Sequence, residues 1–239
     1  MINWKLLTVA VAMIGIGVGF AFATGRNDED ESGVVSREHR LQGFEELYLK
    51  ANADLRLHQA AETRVVITAD AALHDRIELK MKKNQLEISV KGREDRFPRF
   101  SVDVYCPVLS GIGAAYAGTI EFSDGIAAPV FMIGLAGAAT INGTLECDTV
   151  QVNMAGAGTV RLIGSAENAE VHLVGEGTID AEDFRAANFS ANIVGDGTIT
   201  TWTTGALTTT IVGNGTINYR GDPVMEFTGM GNGRFIRLP

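Results

Sequence analysis

From Leu41 onward, apolar and polar residues alternate in short runs separated by turn-forming residues. Leu47, Leu49 and Ala51 share one face; Leu55 and Leu57, then Val65 and Ile67, follow the same rule. Ile77, Leu79 and Met81 alternate with Glu78, Lys80 and Lys82, and Leu86, Ile88 and Val90 alternate with Glu87, Ser89 and Lys91. A period of two predicts strands, and Lys83-Asn84 between the last two runs predicts a tight hairpin turn. Residues 92–99 read as a charged loop ending at Phe97-Pro98, followed by another strand over Phe100–Tyr105.

Beyond this point one phrase returns seven times. Its clearest copies are Gly156-Ala157-Gly158-Thr159-Val160, Gly175-Glu176-Gly177-Thr178-Ile179, Gly195-Asp196-Gly197-Thr198-Ile199 and Gly213-Asn214-Gly215-Thr216-Ile217. Looser copies begin at Tyr116 and Gly137, and a last one at Gly231. The third residue of each copy falls at 118, 139, 158, 177, 197, 215 and 233, a period of about 19 residues that predicts a solenoid.

The alternation is locked to this mark. Four residues before it stand Ala114, Leu135, Met154, Leu173, Ile193 and Ile211; six before, Ile112, Ile133, Val152, Val171, Ala191 and Thr209; two after, Ile120, Ile141, Val160, Ile179, Ile199 and Ile217. Polar residues fill the columns between, with Asn153, His172, Asn192 and Thr210 forming one of them. Each coil therefore contributes a strand before the glycines and another after them, apolar inward, with the glycines at the corner. Length varies at residues 182–187 and 201–205, where a third side or loop must lie. The fold class is all-β: a parallel β-helix or β-solenoid over 107–239, right-handed by the crossover rule, with an N-terminal strand-rich section over 41–106 stacked on it. Seven coils at ~4.8 Å would make a rod roughly 30–35 Å long.

Charge and composition narrow the function. The chain carries a formal charge of −9 and no Lys/Arg block, so phosphate backbones find no electrostatic partner and nucleic acid is excluded as a ligand. Lys5, the apolar run Leu6–Phe20 and Ala21-Phe22-Ala23 read as an export signal over 1–23 with cleavage after Ala23. The alternative is an uncleaved membrane anchor, since Leu6–Ala23 could just span a bilayer. Residues 24–40, with Asp28-Glu29-Asp30-Glu31, read as an acidic disordered tether. Cys106 and Cys147 lie two coils apart, ~9.6 Å at the coil spacing, beyond the ~7 Å limit for a disulfide. Two unpaired, inward-facing thiols are expected.

The opening Gly43-Phe44-Glu45-Glu46-Leu47-Tyr48-Leu49, the Leu86-Glu87-Ile88 strand and the Gly-x-Gly-Thr-Ile-Asn phrase at Gly213–Asn218 resemble the putative autotransporter adhesin head GIN-domain family over about residues 41 to 221. The resemblance implies an extracytoplasmic bacterial β-solenoid with no established activity. Six residues follow Gly233, so no C-terminal membrane barrel is expected, and the location expected is periplasmic or secreted.

Candidate chemistry is sparse. Asp180, Glu182 and Asp183, with Arg161 and Arg185 nearby, are the one cluster that could serve a polysaccharide lyase or hydrolase. Glu176 and Asp196 share the corner position of adjacent coils and offer at most two ligands to a cation that wants six or more oxygens. Thr119, Thr140, Thr159, Thr178, Thr198 and Thr216 form an outward ladder explained by β propensity. His39, His58, His74 and His172 show no metal spacing. No catalytic residue, metal or cofactor is expected. The expected function is a non-enzymatic binding or scaffold protein of the envelope, recognising a glycan or a protein through Asn153, His172, Asn192, Thr210, Glu176 and Asp196. The competing readings are the sugar-cleaving enzyme and a rod that associates end to end through its open strand edges.

Overall fold

A computed structural model describes residues 28–29, 33–92 and 100–239. The leader with its expected cut after Ala23, residues 24–27 and 30–32 of the acidic stretch, and residues 93–99 of the charged loop lie outside the described residues. In chain order the elements are β1 (Asp28–Glu29), β2 (Val34–Arg40), β3 (Glu46–Lys50), β4 (Ala53–Gln59), β5 (Arg64–Asp70) and a four-residue helix α1 (Ala71–His74). Next come β6 (Ile77–Lys82), β7 (Gln85–Val90), β8 (Phe100–Cys106), β9 (Gly111–Tyr116) and β10 (Gly118–Phe122). The long strands follow: β11 (Ile126–Gly137), β12 (Thr140–Gly156), β13 (Thr159–Gly175), β14 (Thr178–Gly195) and β15 (Thr198–Gly213). The last are β16 (Thr216–Arg220), β17 (Val224–Gly231) and β18 (Arg234–Arg237).

From β9 to β18 every pairing is parallel and joins one coil to the next, in the register the glycine marks predict: Gly137 to Gly156, to Gly175, to Gly195, to Gly213, to Gly231. The pre-corner halves of the coils stack into one sheet and the post-corner halves into a second. Register shifts fall between Ala181 and Arg185 and between Ala186 and Asn188, the region of variable length.

The N-terminal section joins this stack out of chain order. β3 pairs in parallel with both β7 and β9, and β4 with both β8 and β10, so the β3–β4 coil lies between the β7–β8 coil and the β9–β10 coil. Antiparallel strands close that end: β6 against β7 through the two-residue Lys83–Asn84 turn, and β5 against β8 with β2 beyond it. Lys83 takes the left-handed φ of 53° that such a turn needs. The disordered tether expected over 24–40 is corrected at Asp28–Glu29, which pair with β2, and for its last seven residues. Val34–Arg40 is β2, because Val35 (4% exposed) covers β5 and the backbone finds a full antiparallel partner there.

Two different requirements keep glycine at the corners. The first glycine of each phrase has positive φ, 119° at Gly175 and 124° at Gly195. It also lies under the previous coil: a Cβ on Gly175 would sit 2.5 Å from Gly156 O. That same carbonyl accepts the Glu176 N–H at 3.1 Å, so the ladder runs unbroken around the bend. The second glycine is set by packing instead; a Cβ on Gly215 would meet Ile193 Cγ2 at 2.8 Å.

The interior is a set of stacked apolar columns, with Ile120, Ile141, Val160, Ile179, Ile199 and Ile217 all at 0% exposure. Three features break the pattern. Thr201 and Thr203 are buried at 0% exposure, their hydroxyl oxygens 3.0 Å apart. Thr209 stands in a column of aliphatic residues, 2% exposed, and its hydroxyl has no hydrogen-bond partner. In the last coil, the inward positions Met225 and Phe227 are 41% and 51% exposed because no coil covers them.

Replacing Thr209 by Val should raise unfolding free energy by about 1 kcal/mol, since it removes an unsatisfied buried hydroxyl at constant shape. Gly195→Ala should lower it by at least about 2 kcal/mol through left-handed strain and a clash with the coil beneath. Urea unfolding followed by circular dichroism measures both.

Candidate functional site

The outward side of the pre-corner sheet carries three columns, one per exposed position of each strand. The middle one runs Tyr48, Gly113, Gly134, Asn153, His172, Asn192, Thr210 and Thr228, each in register with the next. Four of the expected ligand-face residues, Asn153, His172, Asn192 and Thr210, are thus brought into a single line, all half-buried by their neighbours. Hydrogen bonds tie that line to the next column. Asn192 Nδ2 lies 3.3 Å from His172 Nδ1, His172 Nε2 lies 2.9 Å from Glu170 Oε1, and Gln151 Nε2 donates to Glu170 Oε2 at 3.3 Å. The polar groups are held in place by each other, with the amide of Asn153 free to face solvent at the upstream end.

Glu176 and Asp196, the other two expected residues, lie around the corner on the exposed turn rather than in this line. Asp196 is engaged along its own column: its Oδ1 accepts from Asn214 Nδ2 at 2.9 Å, and Asn232 Nδ2 continues the ladder to Asn214 Oδ1 at 3.4 Å.

The third column went unread in the sequence, although it stands three residues before each mark. It is Ala115, Ala136, Ala155, Val174, Val194, Val212 and Met230, an outward apolar ladder beside the polar one. Val174, Val194 and Val212 are 40%, 49% and 40% exposed. Upstream, where Gly111, Gly113 and Gly134 leave bare backbone, the face sinks into an apolar recess of about 80 Å³ bounded by Tyr48, Met132, Ala136 and Asn153. The Tyr48 ring fills the space that a Gly113 side chain would need. Lys50 holds that ring from outside, its Nζ 5.2 Å from the centroid and 3.0 Å from the largely buried Glu87 carboxylate. Extending the polar column two coils upstream would have exposed this feature as Gly113 and Gly134.

Elsewhere the charged clusters close on themselves. Asp180 pairs with Arg161 at 2.9 Å and accepts the Glu182 N–H at 3.3 Å. His58 stacks on Tyr105 at 4.4 Å and bridges Asp103 (3.2 Å) and Asp124 (3.1 Å), while Arg64 covers the other side of Tyr105. Among the described residues, no group of three His, Cys, Asp or Glu side chains is placed to hold a metal ion. None of the helices among these residues is long and apolar enough to cross a membrane. Cys106 is buried, Cys147 half-buried, and both are free thiols. Burial pushes each up to about 11, with Asp148 and Glu146 adding to the effect at Cys147.

The parallel coils, glycine corners and outward columns define a parallel β-solenoid with a long ribbed outer face. The chain belongs to the family described as putative auto-transporter adhesin, head GIN domain, whose model matches residues 43–223. Solved structures of similar fold include a putative adhesin from Bacteroides fragilis, 24% identical with a TM-score of 0.79, covering 86% of this chain and 97% of that one. A putative adhesin from Parabacteroides merdae is 20% identical with a TM-score of 0.69, at 87% and 98% coverage. A structure from Parabacteroides distasonis described as a putative lipid binding protein is 21% identical with a TM-score of 0.71, also at 87% and 98% coverage. No curated protein matches the chain.

With both thiols titrating near 11, the thiolate fraction at pH 8 is about one in a thousand. Labelling with a disulfide reagent should therefore be slow in the folded protein and fast for both cysteines in denaturant. Rapid labelling of either under native conditions would contradict their placement.

Proposed function

We propose that this chain is an adhesin-like, non-enzymatic binding protein of the bacterial cell envelope, exported by its N-terminal leader, and that its ligand is a linear glycan lying along the pre-corner face. The observation that carries this reading is the pairing of two parallel ladders. Asn153, Asn192 and Thr210 present donors and acceptors in one line, with His172 between them bonded to Asn192 and Glu170, and Ala155, Val174, Val194 and Val212 present a smooth apolar rib beside it. A sugar ring has an apolar C–H face and a rim of hydroxyls, so it matches a surface that is apolar along one line and polar along the next. The ~4.8 Å rise per coil is comparable with the length of one sugar unit, so successive units meet equivalent ribs. The recess beneath Tyr48 would take one end of the chain. With a formal charge of −9, the protein favours neutral or basic saccharides over polyanions.

Screening against envelope and host glycans tests the reading. A retained saccharide should bind roughly fivefold more weakly to Asn192→Ala or Thr210→Ala, the value of one hydrogen bond of ~1 kcal/mol. It should be lost on Val194→Glu and be unaffected by Thr178→Ala on the post-corner face. Binding that survives Val194→Glu, or retention of lipid vesicles in place of any saccharide, would contradict it.

A further inference from the structure

The two ends of the solenoid are built differently. At the N-terminal end, β7 and β8 are each covered by an antiparallel strand, and the outermost strand of the pre-corner sheet, β6, carries Lys80 and Lys82. Lysines on an edge strand disfavour addition of another strand. At the other end, β17 and β18 pair only with the coil beneath them, through β15 and β16. Every residue of β17 is exposed. Its inward residues Met225 and Phe227 stand where a further coil would bury them, with Phe235 edge-on to Phe227 at 4.7 Å. The last described coil thus carries an apolar face and an unpaired strand edge together.

We propose that this end docks on the same end of a second copy, β17 antiparallel to β17, giving a closed two-fold dimer. The covered, lysine-bearing N-terminal end disfavours head-to-tail growth and favours contact between two C-terminal ends. A two-fold axis normal to the pre-corner sheet reverses the strand direction and keeps the outward side outward, so the two sheets continue as one. The charge pattern selects the strand. Self-pairing of β17 about Phe227 sets Glu226 opposite Thr228 and Met225 opposite Gly229, whereas self-pairing of β18 would set Arg234 against Arg237. The acidic excess of the chain is also absent here. Arg234 and Arg237 against Asp222 and Glu226 give 2 − 2 = 0 over the last coil, compared with −9 for the whole chain. The interaction stands independently of the glycan reading; its consequence would be two pre-corner faces side by side, able to engage one extended ligand together.

Sedimentation of the chain from Thr24 onward, which keeps every described residue, decides the matter. The expected result is a species of twice the chain mass that goes no further on concentration. Phe227→Lys and Met225→Lys should each weaken it on the order of tenfold or more, with strand content unchanged by circular dichroism, and Val174→Lys should leave it intact. A monomer at every concentration, an open series of larger species, or a dimer unaffected by both lysine substitutions at the end would overturn the proposal.

Discussion

One steric constraint organises the molecule: the carbonyl of a corner glycine occupies the space where the next coil's glycine would carry a Cβ. At Gly175 the approach is 2.5 Å to Gly156 O, and that oxygen receives the Glu176 N–H. Any side chain there would force the coils apart at the bend and break the hydrogen-bond ladder where it turns. Because the corners are fixed this tightly, the strands on either side are fixed in register, and the register aligns the columns. The interior ladder of isoleucines and the exterior rows of asparagine, histidine and valine are thus consequences of the same contact.

The first coil of the repeat shows what happens where the constraint moves. Tyr116 stands in the first glycine's place with φ of 85°. The coil beneath it is the short β3–β4 turn, and the close backbone approach falls instead on Gly118, against Ala53. The chain thus carries a strained tyrosine at the seam where the regular solenoid meets the inserted N-terminal coil. That seam borders the recess under Tyr48, where the outward glycines replace side chains. Irregular backbone and the concave part of the surface occur together.

Much of this was legible in the sequence because a solenoid writes its geometry as a period. The mark positions gave the register of the stack, and the inward columns were found where the alternation put them. The order of the N-terminal coils was not legible. Alternation in Leu47–Ala51 and Leu86–Val90 identifies strands, but parallel pairing of β3 with both β7 and β9 depends on contacts distant in sequence. β2 was missed because Val34–Arg40 is mostly polar, and only its partner β5 makes a strand of it. The polar line of the candidate site was readable from Asn153 to Thr210. The apolar rib beside it was missed because small residues such as Ala115, Ala136 and Ala155 give no signal of exposure until the corner places them outside.

We propose that recognition belongs to the pre-corner face, where a polar and an apolar ladder run side by side. Methyl-resolved NMR of the protein with a bound saccharide tests this directly, because both outward faces carry methyl groups. Shifts confined to Ala155, Val174, Val194, Val212 and Thr210, with Thr159, Thr178, Thr198 and Thr216 unmoved, are the predicted result. Shifts centred on the threonine ladder, with the valines silent, would contradict it.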